Sequence, residues 1–580
     1  MLRDKQGGDK GQAGGGEEGQ RRKGKGGHWL NNFIPDTLSS VRRALSQQLL
    51  KRMSDDPQQS QAEVKRGAVS LIRRAVAYLT PPRLFWITFV FAIIVSCQLQ
   101  FWKLPSTKDR ANWDYFAQVI SRGGIPYRDV VNIKTPLSAY IGAASIVITR
   151  PFGLSPVLAT RITFAILGAF TVAFTFLVAS LYSGSRRTGL LATMILCGIF
   201  MFARLNSDGI QPKTPMVLFG LVSLWAMMKD RPFAAGLFGM LSALSWQPGL
   251  LFVGAGGLAV TRYLTSWRDR KIVRLMIGAT APLALFVAHL WIGGALREFY
   301  LWCFDFNMHV YAPRGFTSYG EFSERFTMLV EGYYSGERRY FLQAAVGIAL
   351  AIATETYFAA TKGRQGWRRL LDRAPQHQVI IAPLVYLIFC RINIQGEQDL
   401  IPLLPFIGIF AAVLLIWMVD RLIDVIRRLF TRIDPPTFQV AGCAILLIFV
   451  FYARVRPVFS FDVGRKDLME QRADAANILS RLQPGDQLWV HGQTELLVVS
   501  GLTNSHKYTN LDHGKDNYLD VVEPFGFEGW FDELKADGPR IVVFTRTANV
   551  DRQVEFLQWL NRDYHLQSGE FYDYYVRKDR

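Results

Sequence analysis

The sequence predicts a polytopic α-helical membrane protein with a small α/β unit at its C-terminal end. Three observations predict it. The first is composition: of 580 residues, 50% are hydrophobic and only 19% are charged, with 41 Phe, 21 Tyr and 14 Trp. The second is patterning: apolar runs at 84–101, 157–182, 272–291, 341–360, 401–419 and 440–452 approach the length that crosses a bilayer. The third is the contrast with 462–580, which holds no such run. The expected organisation is a basic cytoplasmic tail over 1–80, a transmembrane domain over 81–460 and an extracytoplasmic α/β domain over 461–580.

The tail comes first. Residues 1–30 are rich in Gly, Gln, Lys and Glu, with no apolar core and no cleavage pattern, so they predict disorder rather than a secretory signal. Residues 37–78 mix Leu, Val and Ile with many Arg and Lys. They read either as a basic amphipathic helix on an anionic leaflet or as a simple tether. The formal net charge of +19 sits mostly in this tail and in short loops between apolar runs. That distribution is what the positive-inside rule produces, so the charge is assigned to topology and not to nucleic acid. Cys97, Cys197, Cys303, Cys390 and Cys443 lie in or beside apolar segments without metal-ligand spacing, and read as small buried hydrophobes.

Loop charges then order the helices. With Arg42, Arg43, Lys51, Arg52, Lys65, Arg66, Arg73 and Arg74 inside, helix 84–102 exits and 103–135 becomes an outer loop. If 136–150 crossed, every later basic loop would invert. The parity is restored if it lies along or dips into the outer face. Helices 157–182, 188–205 and 213–229 follow, then an up-and-down pair over 233–264 broken near Gln247-Pro248-Gly249. Helices 272–293, 340–360, 378–394, 400–420 and 437–454 complete about eleven crossings, with the C-terminus outside. The glycines Gly254, Gly256 and Gly257 read as close helix packing. Beyond 461, 467–482 and 550–560 predict helices, and 487–490, 540–544 and 572–576 predict strands.

This topology gathers polar groups on one face: Asp114 in Asn112-Trp113-Asp114-Tyr115; Asp208 with Gln211 and Lys213; Asn307, His309 and Tyr311; and Glu397, Gln398 and Asp399. Each has an ordinary reading beside the functional one. Arg128 and Asp129 can pair with each other, Asp208 can cap a turn, Lys213 can anchor at the interface, and His309 can be a solvated loop histidine. No P-loop, zincin motif or dinucleotide fingerprint occurs.

The order of motifs resembles a known family. An acid, Asp114, stands in the first outer loop. Gly124-Ile125-Pro126-Tyr127-Arg128-Asp129 and Lys134-Thr135-Pro136-Leu137 follow, the latter similar to a Lys-Pro-Pro-Leu signature, and Asp208 comes about a hundred residues after the first acid. Over about 84–455 this resembles the GT-C superfamily of polyprenyl-phosphate-sugar-dependent glycosyltransferases. Within it, the chain is similar to bacterial relatives of protein O-mannosyltransferases, to aminoarabinose transferases and to the dolichyl-phosphate-mannose mannosyltransferase-like branch. The resemblance implies a GT-C transmembrane fold and transfer of a sugar, mannose or another hexose, from a polyprenyl-phosphate carrier. The acceptor would be a glycan, lipid or protein at the outer face of the bacterial inner membrane.

It also implies roles. Asp114 matches the acid that deprotonates or orients the acceptor, Asp208 the second acid that binds acceptor or metal, and Lys134 the basic position facing the donor phosphate. Arg128 is a second phosphate candidate, since a guanidinium binds phosphate oxygens bidentately. Asp129, Gln211, Lys213, Glu397 and Asp399 rank below these. Asp208 stands as Ser-Asp-Gly without an Asp-x-Asp, so a divalent metal is left open. The competing classes are a lipid or glycan flippase and a glycan polymerase or ligase. A transporter would place charges at helix centres and repeat its halves, and neither pattern is present.

Overall fold

The structure is a computed structural model that describes residues 79–260, 270–312, 316–392, 394–429, 435–461, 467–545 and 550–578. The expectations for 1–78 fall outside the described residues.

Helices follow the apolar runs. In chain order they are α1 (Pro81–Gln98), α2 (Lys108–Ile120), α3 (Leu137–Thr149), α4 (Pro156–Ser183), α5 (Arg186–Cys197), α6 (Phe200–Ser207), α7 (Lys213–Met228), α8 (Pro232–Ser245), α9 (Leu250–Val260) and α10 (Arg270–Ile292). Then come α11 (Leu296–Tyr300), α12 (Tyr319–Tyr333), α13 (Arg338–Thr361), α14 (Gly363–Asp372), α15 (Ala374–Cys390), α16 (Leu404–Leu429) and α17 (Pro435–Val450). Prolines start α1, α4 and α8, where a missing N–H costs nothing.

Six helical stretches among the described residues are long and apolar enough to cross a membrane: Pro81–Gln98, Pro156–Ser183, Arg270–Ile292, Ser335–Thr361, Glu397–Leu429 and Thr437–Ser460. The pair α5 and α6, bent by 69°, makes a seventh if taken as one span. Helices α7, α8 and α15 are apolar but shorter. The protein is thus a multi-pass membrane protein. Helix α3 has 13 residues, about 20 Å of rise against about 30 Å of hydrocarbon.

The bundle core is built where α4, α5, α7 and α16 pack, around Val172, Leu191, Ile195, Leu221, Phe406 and Phe410. Close approach occurs between α8 and α10. A Cβ on Gly236 would sit 2.0 Å from the Leu275 carbonyl oxygen, and one on Gly278 would sit 2.1 Å from that of Phe233. The expected glycine packing near 254–257 is corrected here: Gly254 and Gly257 face open space, and only Gly256 meets neighbours, at 3.4 Å.

The C-terminal part holds α18 (Leu468–Leu479), β1 (Leu488–His491), α19 (Glu495–Ser500), α20 (Lys515–Val522), α21 (Gly526–Asp537), β2 (Ile541–Phe544), α22 (Gln553–Asp563), β3 (Tyr564–Ser568) and β4 (Asp573–Arg577). The sheet order is β1-β2-β4-β3; β1 pairs parallel with β2, and the other pairs are antiparallel. Asp467 caps α18, its carboxylate accepting from the Met469 and Glu470 N–H groups. Strand β3 and helices α19, α20 and α21 were not expected from the sequence.

Both faces of β1 and β2 are buried. Leu488, Val490, Ile541 and Val543 share one apolar cluster with Ala475 and Ile478 of α18, Leu496 and Leu497 of α19, and Ala111, Tyr115 and Phe116 of α2. Trp489, Val542 and Phe544 pack on Phe527, Trp530, Phe556 and Trp559. This is the period-two alternation of a strand with an apolar layer on either side. Helix α19, on one side of the sheet, contacts α2.

Candidate active site

The first outer segment is a helix, not a loop. Helix α2 carries Asp109 in its first turn and Asp114 one turn further on. It is covered by the C-terminal part. Gln118 Nε2 donates to the carbonyls of Leu497 (3.3 Å) and Leu502 (2.8 Å), the Asn504 N–H donates to the Tyr115 hydroxyl (2.8 Å), and Thr494 Oγ1 donates to Asn112 Oδ1 (2.7 Å).

Asp114 is 2% exposed, and its Oδ1 accepts the Ile210 N–H at 3.3 Å. That N–H follows the turn Ser207-Asp208-Gly209, which ends the bent α5–α6 segment. Gly209 has φ +117, and a Cβ there would lie 2.9 Å from Asp114 Oδ2. Only glycine permits both the backbone and the carboxylate at this point. Asp208, also buried, lies 3.8 Å from the Arg161 guanidinium. Arg161 is fully buried and donates to the carbonyls of Phe101 (2.8 Å), Leu104 (2.5 Å) and Pro105 (3.1 Å). Burial pushes the Asp114 carboxyl up to about 7, opposed chiefly by Arg161. Burial raises Asp208 as well, against Arg161 and Arg110.

Lys134 stands on the opposite side. Its segment is pinned from below: the Tyr127 hydroxyl donates to the Lys134 carbonyl (2.8 Å), Gln247 Nε2 and Asn307 Nδ2 donate to the Ile133 carbonyl (3.0 and 2.8 Å), and Thr135 Oγ1 donates to that of Ala243 (3.0 Å). Tyr127 is fully buried and held at φ +69. Among the described residues Lys134 makes no ion pair. Burial pushes its ammonium down to about 8, with Lys213 adding to the shift and Asp399 and Asp109 opposing it. Lys213 is buried, 3.0 Å from Asp399, with Nζ 4.5 Å from the centre of the Trp246 ring. Lys134 Nζ lies 5.9 Å from the same ring, so one indole serves two ammonium groups.

Between these sides lies a polar cavity of about 180 Å³. Its membrane-side wall includes Asp109, Arg110, Asn112, Trp113, Lys134, Ile210, Gln211, Tyr311 and Gln398; its roof is Thr509, Asn510, Asp512, His513 and Lys515. Gln398 Nε2 donates to Asp109 (2.6 Å), and Gln211 Nε2 donates to Gln398 (3.0 Å). The roof is tied to β1: the Gly492 N–H donates to the Thr509 carbonyl (2.8 Å), and the Leu511 N–H donates to His491 Nε2 (3.0 Å). Burial pushes the His491 imidazole down to about 4, which keeps Nε2 an acceptor.

Of the expected residues, Lys134 and Gln211 line the cavity; Asp114 and Asp208 lie behind Ile210 with Arg161, and Lys213, paired with Asp399, shares the Trp246 ring with Lys134. The structure does not bring in Arg128. That guanidinium is half exposed, pairs with Asp129 at 2.8 Å, donates to the Gly293 carbonyl (3.0 Å) and does not line the cavity. Asp129 closes its own turn, accepting the Ile125 N–H at 2.7 Å, and Arg128 holds its carboxyl below the usual range. Glu397 contributes its carbonyl to the Tyr334 hydroxyl (2.7 Å) but does not line the cavity. His309 is exposed beside Asp305, as the solvated reading had it.

A divalent metal does not fit. Among the described residues no three His, Cys, Asp or Glu side chains converge as a cation needs, and Arg161 already supplies positive charge beside the two acids. Sequence reasoning missed Arg161, Arg110, Asp109 and the roof. Arg161 had a signal: it is the one charged residue in the 28-residue apolar helix α4.

Neither a family model nor a curated protein sequence matches the chain. Among solved structures it is similar to ArnT from Cupriavidus metallidurans bound to undecaprenyl phosphate, at 12% identity over 84% of this chain and 97% of that one, with a TM-score of 0.54. The apo structure of ArnT aligns at 13% identity over 87% and 98%, with a TM-score of 0.53. The Archaeoglobus fulgidus oligosaccharyltransferase is a looser likeness, at 12% identity and a TM-score of 0.49. At these identities the likeness establishes the fold. The chain is a multi-pass membrane protein that shares the fold of the ArnT structure and carries a C-terminal sheet unit.

Proposed function

We propose that the chain is an inverting glycosyltransferase of the bacterial inner membrane. It moves a hexose, with mannose favoured by the family resemblance, from a polyprenyl-phosphate carrier to a glycan, lipid or protein acceptor on the outer face. The loop charges support an N-terminus inside and a C-terminal unit outside.

One observation carries the reading. A polar cavity is lined by Lys134, a half-buried ammonium with no ion pair among the described residues, and by Ile210, behind which lies the buried carboxylate of Asp114. It lies in a fold shared with a protein whose structure holds undecaprenyl phosphate. Lys134 suits the donor phosphate, where stabilising the charge on the leaving group lowers the barrier. Asp114, poised near neutrality, suits removal of the acceptor proton. Asp208 and Arg161 hold the floor beneath it.

Asp109 supports a second assignment of the base, because its carboxylate lies on the cavity wall itself. Purified protein in lipid nanodiscs, given undecaprenyl-phosphate mannose and envelope acceptors, tests both. Asp114→Asn is expected to lower kcat by about 10² to 10⁴, and Asp109→Asn by less than about tenfold. Full transfer by Asp114→Asn at normal expression would exclude Asp114 as the base, and the reverse ranking would move the role to Asp109.

A further inference from the structure

The cavity roof comes from the C-terminal unit, and it brings a cation. Lys515 lines the cavity, with its Nζ 2.6 Å from Asp512 Oδ1. Of the three lysines gathered here, Lys213 is held by Asp399, Lys515 by Asp512, and Lys134 has no acid partner among the described residues. Arg110 also lines the cavity, but it serves the acid side, where it acts on Asp208.

Charge counting gives this arrangement a meaning. It rests on the transferase reading above. A polyprenyl-phosphate sugar is a phosphodiester with one negative charge, and unpaired Lys134 matches it. During transfer the bond from the anomeric carbon to the phosphate oxygen breaks, and its electron pair stays on that oxygen. The acceptor oxygen bonds to the anomeric carbon, and its proton passes to Asp114. The leaving phosphate becomes a monoester dianion while Asp114 becomes neutral, so total charge is conserved. The second phosphate charge is new, and a group that meets it only as it forms lowers the barrier without tightening substrate binding.

We propose that Lys515 is that group: it exchanges Asp512 for the phosphate as the second charge develops, so the C-terminal unit supplies a catalytic residue. The exchange leaves Asp512 supported. Asp512 Oδ2 accepts from Asn510 Nδ2 (3.2 Å) and lies 3.6 Å from His513 Nε2, while Asn510 Oδ1 accepts the Asp512 N–H (3.1 Å). Lys515 is also near enough to Lys134 to help depress its ammonium.

A pair of lipids tests this without knowledge of the sugar. Undecaprenyl phosphate carries close to two charges at about pH 8, and its methyl ester carries one. Binding of each to the purified full-length protein is measured by thermophoresis. The wild type is expected to prefer the dianion by about tenfold or more. Lys515→Gln should abolish that preference and keep methyl-ester binding within about twofold, which also serves as the folding control. Lys515→Arg should restore the preference, and Lys134→Gln should weaken both lipids. A retained preference in Lys515→Gln, or equal weakening of both lipids, overturns the role of Lys515. Failure of the wild type to bind either lipid instead removes the transferase reading.

Discussion

The two sides of the cavity hold charge in opposite ways. On the acid side, Asp114 and Asp208 are buried with Arg161, and Arg161 is fixed by three backbone carbonyls. On the cation side, three lysines face the cavity or its rim, and two acids hold two of them. The first arrangement is rigid and desolvated, and its effect is to raise a carboxylate toward neutrality. The second leaves one positive charge without an acid partner among the described residues, and a flexible lysine is the natural way to hold such a charge. A site built this way keeps its proton acceptor fixed and its anion receptor adjustable.

Breaking the rigid side should cost most. Asp114→Asn removes the proton acceptor, with the loss given above, whereas Asp208→Asn keeps the shape and should cost about tenfold in kcat. Arg161→Met leaves two buried acids and three carbonyls without their donor. It should destabilise the protein by about 3–5 kcal/mol, read as a lowered melting temperature in detergent.

The pH profile compares both sides in one experiment. On the proposed roles, transfer requires Asp114 ionised and Lys134 protonated. The value of kcat/KM should therefore rise as pH passes about 7 and fall as it passes about 8. Lys213→Met removes a repelling charge from Lys134 and should move the alkaline limb up by roughly one unit, while Asp399→Asn should move it down. A limb unmoved by either change would mean that Lys134 does not set it. A further effect is expected at the turn. Gly209→Ala forces a Cβ against Asp114 at a positive φ, for about 1–3 kcal/mol, with a matching loss of activity. If activity were untouched, the close approach would not matter to the chemistry.

Much of this was legible in the sequence where the cause is local. Helices stand at the apolar segments, the short apolar, β-branched or aromatic runs in 488–491 and 541–544 mark strands, and Asp467 marks a helix start. Asp114, Lys134 and Asp208 stood out as ionisable groups beside apolar helices. The rest depends on distant partners. Helix α2 has little apolar periodicity because it is buried nearly all round, partly by residues about 380 positions later. Arg128 misled for a complementary reason: its best partner is the adjacent Asp129, and no window of sequence shows which way the pair faces. The roof over 509–515 reads as an ordinary polar loop, and only the strand beneath it and the His491 tether give it a place.

The contact between the C-terminal unit and α2 has a consequence for biosynthesis. Helix α2 leaves the ribosome early, yet the chain that covers it is made roughly 380 residues later. At about 5–20 residues per second that is a delay of roughly 20 to 80 seconds. Throughout that interval α2 lacks the cover given by Leu497, Leu502 and Asn504, and the cavity lacks its roof. Both are completed only when the C-terminal unit is made.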